Sequence, residues 1–318
     1  MVKNKKPTAG TTQHLSEVGN YGDQREYYAS QYVLEHAPKN TPDAVLAALE
    51  QFDLRWTMLH LGKAKGDYLD AAVRDLILER RQQPQQEQQR PIRALEIGAY
   101  IGYSAIRIGR ILATATASQE PGYAATLVSV EQNRENAGYA QTHVDYAGLT
   151  KHVTVLHSRI GDCSFFDNIC LPTTTTNAKS KNNDHGQDPS LSVPLCGDAD
   201  GDDKPPPPPP PRPYDFVFFD HRTAWYLRDL QFLEAQGVID ATRTTVVADN
   251  VASLEHVHNR TAAIQRGKRT GPCQCVNKGC DYLAYVRRHW SSTTIYYGTN
   301  TKDGISVSKP SSRCLPGG

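Results

Sequence analysis

The sequence predicts an α/β fold, with one mostly parallel central sheet, helices on both faces, and an antiparallel hairpin at the C-terminal end. Two observations predict this class. Between residues 93 and 157, short apolar runs typical of buried strands alternate with segments whose apolar residues recur at helical spacing. Near the end of the chain, two β-rich runs lie close together, at 293–297 and 305–307, as in a hairpin.

Helical periodicity comes before the first strand. The apolar spacing predicts helices over residues 24–36, 41–58 and 65–81, the second beginning with a Thr-Pro-Asp start signal. The glutamine-rich piece 82–89 predicts a loop. Because these helices precede the sheet in the chain, we expect them to pack on it and to form a cap over a ligand.

The strands of the sheet follow in order. Apolar runs predict strands near 94–98, 126–131, 153–157, 214–220 and 245–249. Helices are predicted after the first two, ending near 112 and 147, then over 225–236 and 281–288. Alternation of this kind gives a parallel sheet.

Low-complexity segments limit the packed part of the chain. Residues 1–22 are polar and rich in Gly and Thr, which predicts a disordered tail, and residues 23–310 predict one domain with insertions at 173–213 and 255–280. Insertion 173–213 contains seven consecutive prolines. Nothing beside them resembles a recognition motif, so we interpret it as an inert insertion, with a partner-binding polyproline segment as the alternative.

The second insertion contains three closely spaced thiols, Cys273, Cys275 and Cys280. Three thiolates can bind zinc, but a fourth ligand is not evident and the spacing is not a standard one. The sequence leaves open whether they bind a metal.

Composition excludes several classes of function. With 35 basic and 34 acidic residues and a net charge of +1, the chain has no electrostatic basis for binding nucleic acid. We find no apolar run of about 18 residues and no signal peptide, so no membrane partner is expected. The seven cysteines are an odd number in a chain too long to need disulfide bonds. We therefore expect a cytoplasmic protein that acts on a small molecule.

The stretch 93–104 predicts a ligand site, because it passes from strand through a glycine turn into helix. Glycine lets the backbone approach a ligand, and the following helix presents free N–H groups. The spacing Gly98-x-x-x-Gly102 is not that of dinucleotide-binding proteins, so this turn alone is a weak signal. Glu131 strengthens it, since an acid at the end of the next strand can accept hydrogen bonds from both ribose hydroxyls. Together they predict a nucleotide-like cofactor.

Three further polar residues follow the later strands: Asp220 after one, and Asp249 with Asn250 at the end of the next. Two carboxylates and an amide oxygen suit Mg²⁺ with open positions for substrate. Either acid alone would be interpreted as a helix cap or a solvated turn. Their combination with the glycine turn and Glu131 favours a metal site.

Several motifs together resemble the magnesium-dependent catechol O-methyltransferases, which are S-adenosylmethionine enzymes with a Rossmann-like fold. The blocks that carry the resemblance are 95–104, 219–221, 248–250 and 283–287, with 33–37, Trp56-x-Met58 and Gly62-Lys-Ala-Lys-Gly66 before them. The similarity covers most of residues 24–300. The block Glu-Ile-Gly-Ala-Tyr-x-Gly-Tyr-Ser is specific to this branch of the S-adenosylmethionine enzymes.

The resemblance implies roles for individual residues. Those at the methionine end of S-adenosylmethionine would be Glu96, Gly98, Tyr100 and Ser104, with Leu61 covering it from the cap. Glu131 would bind the ribose, and Ile160 and His221 would lie at the adenine. Mg²⁺, which in the family chelates both catechol oxygens, would be bound by Asp220, Asp249 and Asn250, and Asp220 would also adjoin the cofactor.

Two positions depart from the family pattern. Where the family has a lysine general base, this chain has Thr223, and threonine cannot take that proton. The neighbouring Arg222 could stabilise a phenolate but is permanently charged, and His221 is expected to be structural. Where the family has a glutamate that holds the second hydroxyl, a rough placement gives Thr299.

These departures leave three outcomes for the function. In order of preference, they are a catechol methyltransferase that relies on metal activation, an enzyme for another vicinal oxygen substrate, and a non-catalytic protein that binds cofactor or serves as a scaffold through its proline-rich insertion.

Overall fold

The computed structural model describes residues 21–117, 124–162, 165–166, 169, 212–251, 279–297 and 303–310. Its centre is a sheet of seven strands in the order β3-β2-β1-β4-β5-β7-β6. The first five strands in the chain pair in parallel, and the last two form an antiparallel hairpin at one edge. The predicted α/β class and its C-terminal hairpin are therefore confirmed.

The strand bounds lie within two residues of the predicted runs in most cases. They are β1 Ile92–Ile97, β2 Ala125–Glu131, β3 Val153–His157, β4 Phe216–Phe219, β5 Thr245–Val251, β6 Ser292–Tyr297 and β7 Gly304–Lys309. The central runs are apolar throughout, as in β4 Phe-Val-Phe-Phe, because both faces of a parallel sheet are covered.

Helices cover both faces of the sheet. They are α1 Arg25–His36, α2 Pro42–Asp53, α3 Gly62–Arg81, α4 Gln85–Gln88, α5 Tyr103–Ala117, α6 Arg134–Tyr146, α7 Tyr226–Ala235 and α8 Cys280–His289. The prediction of a loop over 82–89 was wrong in part, since a single helical turn, Gln85–Gln88, follows Pro84 there. The second predicted helix ends five residues early, at Asp53, and the chain then turns towards α3.

Alternate residues of the strands pack into two apolar layers. In β1, Ala94 belongs to the layer formed with α1, α2, α3 and α5, whereas Leu95 belongs to the layer formed with α7 and α8. Each fully buried Leu, Ile or Phe side chain contributes about 1.5–3 kcal/mol to stability. Helices α1, α2 and α3 therefore form part of the main core.

The register of the parallel strands brings their carboxyl ends together. Ile97 of β1 lies opposite Val130 of β2 and Phe219 of β4, and Phe219 lies opposite Ala248 of β5. The residues that follow, at positions 98, 131, 220 and 249, therefore lie next to one another at one edge of the sheet. This is where an open α/β sheet binds its ligands.

Several predictions concern residues outside the described ranges. These are the tail, apart from residues 21 and 22, nearly all of insertions 173–213 and 255–280, and Thr299. In the part of the chain that the structure describes, none of the helices has the length and apolar composition that a membrane span requires.

Candidate active site

The turn after β1 is closely packed against the end of β4. Gly98 has φ +102°, and a Cβ atom on it would lie 2.2 Å from the carbonyl oxygen of Asp220. Its N–H donates to the carbonyl of Val130 at 2.8 Å. Only glycine fits this position, because it tolerates the positive φ and leaves room for the neighbouring backbone. The predicted cofactor turn and the first predicted metal ligand are therefore in direct contact.

Glu131 is held at the end of β2 by two backbone donors. The N–H of Tyr100 donates to Oε2 at 2.8 Å, and that of Asn133 donates to Oε1 at 2.8 Å. Burial raises the pKa of the carboxyl to about 7, although these N–H groups oppose the shift. Each carboxylate oxygen keeps a second lone pair, so the fixed group can still accept hydrogen bonds from a ribose diol.

Glu96 lies in β1 and is fully buried. Its Oε2 accepts a hydrogen bond from the Ser129 hydroxyl, and among the described residues Oε1 has no hydrogen-bond partner. Burial raises its pKa to about 7, opposed by the hydroxyls of Ser104 and Ser129. A buried carboxylate oxygen without a partner is costly unless a ligand supplies a donor. The site fits an ammonium group, as at the methionine end of S-adenosylmethionine.

The cap is tied to this turn through Tyr100, whose backbone has φ +48°. Its hydroxyl donates to Oε1 of Glu26 on α1 at 2.7 Å, and both side chains are buried. Burial and the Glu26 carboxylate raise the pKa of the Tyr100 hydroxyl, so it stays protonated. Leu61, the residue before α3, is also buried. Sequence reasoning missed Glu26, which nothing in the pattern of α1 distinguishes from an exposed acid.

Two of the three predicted metal ligands, Asp249 and Asn250, contact a lysine. Nζ of Lys65, on α3, donates to Oδ2 of Asp249 at 2.8 Å, to Oδ1 of Asn250 at 2.9 Å and to Oδ1 of Asp303 at 3.2 Å. Asp220 adds its charge to the same group. Asn250 has φ +55° and lies where the pairing of β5 with β7 shifts register. At this irregularity the side chain of Asn250 is exposed, whereas that of the preceding Asp249 is buried.

Electrostatics in this cluster are dominated by burial and by like charges. Burial and the charge of Asp249 raise the pKa of Asp220 well above its ordinary value. Burial raises the pKa of Asp249 to about 6, opposed by Lys65. Burial lowers the pKa of Lys65, but Asp249 and Asp303 outweigh it and the net shift is upward. Lys65 therefore stays charged and does not act as a base at neutral pH.

The cluster fits a divalent cation on the chemistry of its oxygens. Two carboxylates and one amide oxygen are the hard donors that Mg²⁺ prefers, and two of these side chains, Asp249 and Asn250, already bind a cationic ammonium group. Among the described residues no group of three or more His, Cys, Asp or Glu side chains is arranged for a metal ion, so the third ligand would be the amide of Asn250. The sequence could have pointed to Lys65 through the quoted Gly62–Gly66 block, but Asp303 carried no signal.

The remaining predicted residues lie at the edge of the site. Nε2 of His221 is 2.8 Å from Oδ2 of Asp229 on α7, which fixes the ring for a structural role. Arg222 is exposed, with its guanidinium 5.3 Å from the ring centre of Trp225. Thr223 begins a short 3₁₀ turn. No general base takes the place of the family lysine in the described part of this turn.

Ser104 and Ile160 complete the predicted cofactor set. Ser104 is buried in the first turn of α5, and its hydroxyl opposes the rise in the pKa of Glu96. Ile160 is partly buried and packs on the apolar layer that faces α7 and α8. Their cofactor contacts stay predictions.

The sequence is similar to those of known O-methyltransferases. The chain is 30% identical to the catechol O-methyltransferase of Bos taurus over 232 residues, which is 72% of this chain and 62% of that protein. It is 32% identical to a probable O-methyltransferase of Mycobacterium tuberculosis over 244 residues, which is 76% of this chain and 80% of that protein. The chain thus spans less than two thirds of the bovine relative's length. A search of family models finds no match.

Solved structures with a similar chain path include a putative caffeoyl-CoA O-methyltransferase from Staphylococcus aureus. It is 15% identical, with a TM-score of 0.48, and the match covers 90% of this chain and 98% of that one. The O-methyltransferase from Bacillus cereus is 16% identical, with a TM-score of 0.46, covering 89% and 91%.

The strand order, the glycine turn and the acid at the end of β2 define a Rossmann-like methyltransferase fold. Within that class, the sequence relatives identify the family more closely. The chain belongs to the catechol O-methyltransferase-like family of S-adenosylmethionine-dependent O-methyltransferases.

Proposed function

We propose that this chain transfers the methyl group of S-adenosylmethionine to one hydroxyl of a catechol-type substrate, with Mg²⁺. One observation carries the proposal. Gly98 of the cofactor turn packs on the backbone of Asp220, so the residues for the methyl donor adjoin those for a chelated acceptor. Holding both reactants in contact in this way lowers the barrier to a reaction between them.

The residues at the donor side would orient the cofactor. Oε1 of Glu96, which has no hydrogen-bond partner in the described part of the chain, would accept from the ammonium group of the cofactor, and Glu131 would accept from its ribose hydroxyls. The Tyr100–Glu26 hydrogen bond would hold the cap closed over this turn and exclude water. No side chain here needs to change its protonation state during transfer.

The residues at the acceptor side would hold the metal through the oxygens of Asp220, Asp249 and Asn250. When bound, Mg²⁺ lowers the pKa of a coordinated hydroxyl and so supplies the activation that a base would otherwise give. This matters here because Thr223 cannot take a proton from the substrate. The substrate oxygen forms a bond to the methyl carbon as the carbon–sulfur bond breaks, and the hydroxyl proton leaves to solvent.

The substrate class is tested by comparing matched acceptors. Catechol has two adjacent hydroxyls, whereas phenol and 2-methoxyphenol each offer one. We expect methylated product from catechol and at least tenfold less from either comparison compound, because neither chelates a metal through two hydroxyls. Equal methylation of phenol would contradict the catechol-type substrate.

A non-catalytic protein is the second candidate, since Thr223 is a substrate-side change. It predicts that S-adenosylhomocysteine binds, as measured by calorimetry, while no diol is methylated. Product from any diol would exclude it.

A further inference from the structure

Lys65 has a set of buried polar contacts to which no role has been assigned above. Its ammonium is buried and contacts both carboxylate oxygens of Asp249 at 2.8 Å, as well as the side chains of Asn250 and Asp303. Two of these partners are the oxygens assigned above to the metal. The helix that supplies the lysine lies 184 residues away in sequence from its nearest partner here, so the contacts are tertiary and not local.

A lysine ammonium and a divalent cation cannot both bind these oxygens without weakening each other. Both are attracted by the same carboxylates, and two like charges within about 4 Å of each other repel strongly at the low effective dielectric of a partly buried site. Binding of one therefore weakens the other. A lysine side chain has four rotatable bonds, so its ammonium can move by several ångström without any change in α3.

Asp303 provides the ammonium with an acceptor outside the metal's ligand set. It lies just before β7, its side chain is 38% exposed, and its Oδ1 is 3.2 Å from the Lys65 Nζ. The ammonium can therefore release Asp249 and Asn250 while it keeps one carboxylate partner. Asp303 lies nearer to solvent than Asp249, so water can replace the hydrogen bonds that the ammonium loses when it leaves Asp249 and Asn250.

We propose that Lys65 competes with the divalent cation for Asp249 and Asn250, and that cation binding displaces its ammonium towards Asp303. This inference rests on the metal site of the proposed function. Lys65 thereby sets how tightly the chain binds a divalent cation. It acts on the metal ligands and not on the substrate, so it is a positioning residue.

Calorimetric titration of Mg²⁺ into the full chain tests the competition. The K65M variant keeps the length of the side chain and removes its charge, and we expect its association constant for Mg²⁺ to rise about tenfold or more. The matched control is K63M, on the same helix, because Lys63 is exposed and, within the described part of the chain, forms an ion pair only with Asp67. We expect K63M to bind Mg²⁺ within about twofold of the unmodified chain, since a distant exposed charge is screened by salt.

The outcomes separate this inference from the proposed function. Tighter binding by K65M with no change in K63M supports the competition. Binding by the unmodified chain with no gain in K65M overturns it and leaves the proposed function in place. No binding of Mg²⁺ by either protein overturns both the competition and the metal's part in the proposed function.

A measurement on the unmodified chain keeps the inference testable if K65M does not fold. Lysine acylation by an amine-reactive reagent, read by peptide mass spectrometry, reports how exposed each ammonium is. We expect Mg²⁺ to increase the labelling of Lys65 relative to Lys63, because the displaced side chain loses its buried acceptors. Labelling of Lys65 that is unchanged or reduced by saturating Mg²⁺ overturns the displacement.

Discussion

Replacing Glu96 with glutamine gives a sharp test of the donor side of the site. The carboxyl is fully buried, and burial raises its pKa from an ordinary 4.5 to about 7. A buried acid with a raised pKa binds its proton more tightly in the folded than in the unfolded chain. The stability that the protonated Glu96 contributes is therefore fully present below pH 4.5 and is lost as the pH rises from 4.5 to about 7. Above about pH 7 the free energy of unfolding no longer changes through this group.

The size of the effect follows from those two pKa values. Ionising Glu96 in the folded chain costs about 3 kcal/mol at pH 8 and under 1 kcal/mol at pH 5. Glutamine does not ionise, so the variant lacks this decline. Its amide can lose a constant 1–3 kcal/mol at both pH values if its buried N–H finds no acceptor. Subtracting the change in the free energy of unfolding at pH 5 from the change at pH 8 removes that constant loss.

Urea denaturation of both proteins at pH 5 and pH 8 measures the difference. We expect the free energy of unfolding of E96Q, relative to the unmodified chain, to be about 2–3 kcal/mol more favourable at pH 8 than at pH 5. The exposed acid Glu35 supplies the control, because E35Q should change stability by less than about 0.5 kcal/mol at either pH. The same pH response in E96Q and the unmodified chain would refute the assigned burial of this charge.

Cofactor affinity should change in the opposite direction to stability. Loss of the charged acceptor for the ammonium group should weaken S-adenosylhomocysteine binding by about 10- to 100-fold at pH 8, as measured by calorimetry. Undiminished binding by E96Q would remove Glu96 from the cofactor site.

Three further substitutions test the other parts of the site. Gly98→Ala should destabilise the chain by about 2–5 kcal/mol in urea denaturation, because the added Cβ would meet the Asp220 carbonyl. The control is Gly161→Ala, since Gly161 has a similar φ of +96° but no neighbouring atom, and its loss should be only the conformational strain of about 1–3 kcal/mol. Equal losses in the two variants would contradict the close packing at Gly98. Asp249→Ala should reduce methyl transfer at least about 100-fold while S-adenosylhomocysteine affinity, measured by calorimetry, stays within about threefold, since the acid belongs to the acceptor side; parallel loss of both would refute that division. Thr223→Lys should raise the rate of transfer at neutral pH about tenfold or more by restoring a base, and an unchanged initial rate would show that proton removal does not limit it.

Local patterns were sufficient for the sheet. The apolar runs of β1, β2 and β4 identify buried strands because both faces of a parallel sheet are covered. Gly98 and Glu131 were predicted together because both residues lie at the carboxyl end of a predicted parallel strand, where the sheet binds ligands. The N–H of Gly98 reaches the carbonyl of Val130, the residue before Glu131, through the register of β1 and β2, which alternation along one strand does not determine.

Contacts between distant segments were beyond the sequence. Lys65 reaches Asp249 and Asp303 across 184 and 238 residues, and Tyr100 reaches Glu26 across 74. In each case one partner lies on a helix that precedes the sheet, and helical spacing shows only which face is apolar. The polar residue that turns inward towards a site then looks like any exposed charge.

The central claim is methyl transfer that depends on a metal held by Asp220, Asp249 and Asn250. Its most direct test is the initial rate of transfer from isotopically labelled S-adenosylmethionine to catechol, measured with Mg²⁺, with EDTA, and with Mg²⁺ added back in excess. The account predicts labelled product with Mg²⁺, its loss in EDTA, and its return when the metal is restored. An equal rate in EDTA, or no product under any of the three conditions, would contradict it.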